Sequence, residues 1–117
     1  MVFSKNLKEK SKNQFYMSLK LQLKVLWHEN FLGLSIDQAS TKLVIPITSY
    51  YLWPKTDAWQ QIKFELDSKP WLSEQEKIKV LNHTAEIMNY WRKNRNSNTI
   101  KTLTEKFSDL KFIGEIK

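Results

Sequence analysis

The two histidines, His28 and His83, are the first groups to consider for metal binding or proton transfer. A zinc site needs three or four ligands, and acid–base catalysis needs a base held by an oriented partner; neither arrangement surrounds these residues in the sequence. His83 has Glu86 three residues on and Ile87 four residues on, which at helical spacing suits a surface hydrogen bond. Glu29, Asp37 and the carboxylates of the helical stretches form no recognisable acid–base pair. The chain contains no cysteine, so it has no thiolate nucleophile, no cysteine-ligated metal and no disulfide framework. Its only glycines, Gly33 and Gly114, cannot build a glycine-rich phosphate loop. The expectation is a protein with no catalytic residues, no metal, no cofactor and no small-molecule substrate.

The remaining chemistry is that of positive charge. The net charge is +7 and it is unevenly distributed. Residues 1–24 set Lys5, Lys8, Lys10, Lys12, Lys20 and Lys24 against Glu9 alone, whereas residues 25–91 hold six bases and eight acids. From residue 92 onward Arg92, Lys93, Arg95, Lys101, Lys106, Lys111 and Lys117 face Glu105, Asp109 and Glu115. A near-neutral centre between basic ends suits a globule anchored to phosphate backbones, because each lysine–phosphate contact releases a counterion. Solvated tails that only confer solubility would give the same pattern. The candidate phosphate contacts are Lys5, Lys8, Lys10, Lys12, Lys20, Arg92, Lys93 and Arg95. Phe3, Phe15, Tyr16, Phe107 and Phe112 lie among the bases and could stack on unpaired nucleotides, although Phe107 and Phe112 suit core packing better.

Composition places this chemistry on a soluble single domain: 41% hydrophobic and 13% aromatic residues suffice for a core, and 26% charged residues argue against a membrane protein. Met1 to Lys12 contains no signal-peptide core, so secretion is not expected. It is also unlike an arginine-rich, acid-poor transit peptide, so an organellar protein of this kind would be encoded in the organelle.

Leu19, Leu21, Leu23, Val25 and Trp27 alternate with polar residues, the period of a half-buried strand. Reversal through Glu29 and Asn30 sets Trp27 opposite Leu32, Val25 opposite Leu34 and Leu23 opposite Ile36, with all the large apolar groups on one face. Gly33 marks either a bulge or a close contact. Leu43–Ile47 and Ser49–Trp53 read as a third, edge strand, because Pro46 excludes a central position. Asp57, with Gln60 three residues on, caps a short helix carrying Trp59, Ile62 and Leu66. Ser73-Glu74-Gln75-Glu76 is a capping box opening a second helix, whose apolar stripe is Ile78, Leu81, Ala85, Met88 and Trp91. Arg92, Lys93 and Arg95 suit the negative end of that helix as well as they suit a phosphate. Ile100, Leu103, Phe107 and Leu110 suggest a short third helix before a frayed end. The expected fold is α+β: a small antiparallel sheet, made of an N-terminal hairpin and an edge strand, packed by two C-terminal helices. It divides into a basic extension over residues 1–18, a globular domain over 19–93 and a basic C-terminal extension over 94–117.

Five tryptophans punctuate this pattern. Trp27, Trp59 and Trp91 fall in the apolar phase of their elements and are read as core. Trp53 and Trp71 each adjoin a proline at a turn, where the ring either packs inward or meets a partner.

The succession Trp27, Gly33, Asp37-Gln38, Trp53-Pro54, Asp57-Ala58-Trp59, Lys69-Pro70-Trp71, Ser73-Glu74 and Asn89-Tyr90-Trp91 resembles the pattern of the plastid-specific ribosomal protein 3 family. The resemblance spans roughly residues 20–92, departs at the loop from Ala39 to Val44, and leaves the chain after Asn94 outside it. His28 stands where an apolar residue is expected. The resemblance implies a non-enzymatic component of the small (30S) subunit of chloroplast and cyanobacterial ribosomes, partnered by small-subunit rRNA and neighbouring ribosomal proteins in the plastid stroma, with no membrane. A free-standing protein-interaction or RNA-binding regulatory module is the alternative.

Overall fold

The computed structural model describes residues 20–96 and 100–115, so the proposed extension over residues 1–18, with Lys5, Lys8, Lys10 and Lys12, lies outside the described residues. Strands β1 (Lys20–Trp27) and β2 (Leu32–Ala39) form the hairpin. Their register pairs Trp27 with Leu32, Val25 with Leu34 and Leu23 with Ile36, as the alternation requires. All six side chains are essentially fully buried. Each such burial stabilises the fold by roughly 1.5–3 kcal/mol, and a one-residue slip would forfeit the whole set. The reversal closes with His28 N donating to Phe31 O and Asn30 N donating to His28 Nδ1, while the imidazole stacks on Phe31 at 4.6 Å. His28 is therefore a turn residue. Gly33 is a close contact rather than a bulge: a Cβ there would lie 3.1 Å from Leu26 Cβ.

The edge strand exists but is broken in two, as β3 (Val44–Pro46) and β4 (Tyr51–Trp53), both antiparallel to β2. Between them Ile47 N and Thr48 N donate to Ile36 O, and Thr48 Oγ1 accepts from Ile36 N. The hydroxyl thus satisfies an amide that a continuous strand would have paired. Helix α1 (Ala58–Asp67) follows its Asp57 cap, which accepts from Gln60 N.

Helix α2 (Glu74–Asn94) is capped by Ser73 Oγ, which accepts from Glu76 N. The other half of the expected capping box differs, since Glu76 Oε1 accepts from Leu21 N and ties the helix start to β1. The buried stripe differs too: it runs through Lys77, Val80, Thr84, Ile87, Met88 and Trp91, leaving Ile78 and Ala85 exposed. Two polar-looking positions make this phase possible. Lys77 buries its stem while Nζ reaches Glu74 at 3.1 Å, and Thr84 Oγ1 donates back to Val80 O at 2.8 Å.

The largest departure from expectation lies beyond Asn94. Helix α3 (Ile100–Lys106) is the expected short helix, but the chain then forms β5 (Lys111–Glu115), which runs parallel to β1 with a register shift between Val25 and Leu26. The sheet is accordingly mixed, in the order β3-β2-β1-β5, with β4 beside β3 on the same edge of β2, and three helices accompany it among the described residues. Leu103 and Leu110 are buried in the same cluster as the hairpin, and Phe107 and Phe112 pack against it. The basic C-terminal stretch is thus woven into the α+β body. Its short apolar run carries no sign of a partner strand so distant in sequence.

Candidate nucleic-acid interface

Trp27 ends β1 and Trp91 lies in the last turn of α2; both are buried, so each indole N–H needs an internal acceptor. Trp91 Nε1 donates to His28 O at 2.7 Å, and Trp27 Nε1 donates to Arg95 O at 3.3 Å. These reciprocal bonds fasten the C-terminal end of α2 to the hairpin turn. Trp53, on the core face of β4, meets Trp91 edge to face at 5.3 Å. Tyr90 continues the aromatic cluster, 6.2 Å from Trp27 and 5.1 Å from Phe107.

Cations sit on this ring system. The Arg92 guanidinium lies 5.3 Å from the Trp53 ring centre, that of Arg95 lies 5.0 Å from Trp91, and the Lys106 ammonium lies 5.3 Å from Tyr90. Arg92, Lys93, Arg95 and Lys106 are all exposed. Stacking restricts the arginine rotamers without neutralising them, which leaves planar, charged donor forks pre-set for an oxyanion. Arg92 and Lys93 also complement the helix dipole.

The structure brings together Arg92, Arg95 and Trp53 around Trp91, while Lys93 lines a groove with Tyr90 and Phe107. Lys20 is exposed at the opposite end of β1, about 23 Å from the hairpin turn at the usual strand rise. Trp71 lies in the α1–α2 turn, at the far end of α2, and is 70% exposed. Sequence reasoning missed Lys106 and the ring contacts of both arginines, because those pairings join residues that no local spacing connects. Near Lys20, an open groove of about 430 Å³ is lined by Lys20, Glu76, Lys79, His83 and Asp109 among others. Mixed charge there favours no single ligand sign.

Among the described residues, no group of three histidines or carboxylates could hold a metal ion, and no helix is long and apolar enough to cross a membrane. The resolved pKa displacements have local causes. A hydrogen bond from Lys63 holds Asp67 below the usual carboxylate value. Burial first, and the Glu65 carboxylate next, push the Tyr51 phenol up.

A mixed-sheet body with ring-backed cations gathered at one pole defines a basic α+β protein with a candidate anion-binding face. Residues 47–94 match the model of the plastid and cyanobacterial ribosomal protein family (PSRP-3 / Ycf65). The chain is 41% identical over 95 residues to "Small ribosomal subunit protein cS23" of Gracilaria tenuistipitata var. liui, covering 81% of this chain and 96% of that one. It is 42% identical over 91 residues to "Probable small ribosomal subunit protein cS23" of Synechococcus sp. (strain JA-3-3Ab), covering 78% and 92%. With the Mesostigma viride protein of the same subunit name the identity is 37% over 97 residues, covering 83% and 79%. The chain belongs to this family of plastid and cyanobacterial ribosomal proteins, a non-enzymatic, structural class.

Proposed function

We propose that the chain is a structural constituent of the small subunit of a plastid-type ribosome, working in the plastid stroma and held there by small-subunit rRNA and neighbouring ribosomal proteins. The observation that carries this reading is the pair of exposed guanidiniums, Arg92 and Arg95, pre-set on Trp53 and Trp91 in a chain of a ribosomal protein family. Arg92, Lys93 and Arg95 neutralise phosphates at one pole, Lys20 does so at the other, and Lys5, Lys8, Lys10 and Lys12 extend the contact along the N-terminal segment. Trp53 acts through the guanidinium it supports. Trp71, with its open ring, is the direct contact to an rRNA base or a neighbouring protein.

Sedimentation of lysates through a salt series tests this reading. The protein should travel with assembled small subunits and leave them as salt rises; recovery only as a free monomer at low salt would overturn it. The doubly substituted Arg92→Gln/Arg95→Gln protein should dissociate at lower salt, with a binding slope against log salt shallower by about 1.4 to 1.8 for two lost phosphate contacts. A free-standing interaction module would instead give protein crosslinks near Trp71 and no reproducible rRNA crosslinks.

A further inference from the structure

The C-terminal end of α2 and the end of α3 flank a shallow, open groove of about 480 Å³. One wall is aromatic: Tyr90 and Phe107 meet edge to face at 5.1 Å, and the Lys106 ammonium lies 5.3 Å and 5.9 Å from their ring centres. Lys93, Asn89, Glu86 and Asn94 complete the lining. Two ammoniums against one carboxylate favour an anion, and the aromatic wall favours a flat apolar group beside it.

We propose that this groove holds one unpaired nucleotide of the RNA, with its base against the Tyr90–Phe107 wall and its flanking phosphates on Lys93 and Lys106. The inference rests on the ribosomal reading above and adds a site to it. A duplex keeps its bases stacked inside and shows the protein sugar and phosphate, which leaves the aromatic wall without a partner. An unpaired nucleotide offers both the ring face and the charge that the lining complements. Lys106 caps the rings in the free protein, and an entering base displaces its ammonium outward onto the phosphate. The Asn89 amide, with both donor and acceptor, also lines the groove and offers a partner to the edge of the base. Phe107 then serves two partners, the core on its inner side and the nucleotide on its outer edge.

The test titrates the 117-residue chain with fluorescein-labelled oligouridylate and with a blunt RNA duplex of equal charge, each over a salt series. Lys93→Met/Lys106→Met keeps both stems, and both residues are exposed, so folding is preserved and is checked by thermal melting. For this variant oligouridylate affinity should fall tenfold or more at low salt and its salt slope should become shallower by about 1.4, while duplex affinity, which loses the charge of Lys93 but no base contact, should fall at least threefold less. Equal losses on the two RNAs, no loss on either, or no oligouridylate binding by the unsubstituted chain would each overturn the groove. The underlying reading is scored separately: if the unsubstituted chain sediments with small subunits while the variant keeps its oligouridylate affinity, the groove alone fails. If the unsubstituted chain never sediments with them, the ribosomal reading itself fails.

Discussion

Trp53 and Trp71 have nearly the same sequence surroundings, an indole next to a proline where the chain turns, and opposite fates. Trp53 belongs to β4 and pairs in register with Leu32, so its ring is delivered to the core face, edge-on to Trp91 and beneath Arg92. Trp71 follows Pro70 in a turn where Leu72 N donates to Lys69 O, and Leu72, 4% exposed, takes the inward position instead. Trp71 is left 70% exposed. A proline announces that the chain changes direction, but the side of the backbone on which the neighbouring ring emerges is settled by pairing and turn geometry. One indole therefore stabilises the fold and the other is left at the surface.

Substitutions around these two turns would break or sharpen that contrast. The largest effect is expected at Leu72, where truncation to Ala should cost about 3 kcal/mol, the usual range for a buried leucine. Trp53→Ala should cost about 2 kcal/mol, less than a fully enclosed tryptophan because the ring is half-buried. Trp71→Ala, adjacent to Leu72, should change stability by no more than about 0.5 kcal/mol, yet weaken retention on small subunits. Denaturant melts give the first quantities and sedimentation the last. Comparable destabilisation by Trp53→Ala and Trp71→Ala would erase the distinction.

What the sequence made legible follows from the range of the interactions concerned. The hairpin register is carried by alternation over eight residues, and the caps at Asp57 and Ser73 lie within one turn of what they bond. The edge character of the third strand is written in Pro46. The parallel pairing of β5 with β1 is not legible, because Lys111–Glu115 is too short to declare a partner on the other side of the domain. The stripe of α2 holds at Met88 and Trp91 but shifts by one position in its first half, because Ile78 looks like core and Lys77 does not, although the lysine buries its stem and Ile78 is 58% exposed. Within the candidate interface, the basic run at Arg92–Arg95 was visible. Its pairing with Trp53 and Trp91 was not, since it depends on the hairpin turn reaching the end of α2.

Smaller effects separate the two turns further. Ser73→Ala, just beyond Trp71, removes the acceptor for Glu76 N and should cost about 1 kcal/mol, readable as a lower melting temperature. Arg92→Met keeps the aliphatic stem over Trp53 and removes the charge. The expected loss is about 0.5 kcal/mol, since exposed cation–π contacts are weak. Its effect on salt-dependent retention should be the larger one, as the interface requires.

The smallest expected effect is a dependence on pH centred on the Trp53 side. Tyr51 shares the core-facing side of β4 with Trp53, and burial together with the Glu65 carboxylate raises its phenol above the usual value of 10.0. A raised folded value means that the neutral phenol is the form the fold prefers. This stability is complete below the unfolded value and is lost as pH rises through the folded one. The melting temperature should therefore decline on an alkaline limb beginning near pH 10, and Tyr51→Phe should flatten it. Trp71→Phe should leave the limb intact, because the turn reaches this group through Lys69, whose ammonium lies 2.9 Å from Glu65, and not through the indole. A limb that survives Tyr51→Phe, or that disappears with Trp71→Phe, would show that the two turns do not share out stability and contact as their burial indicates.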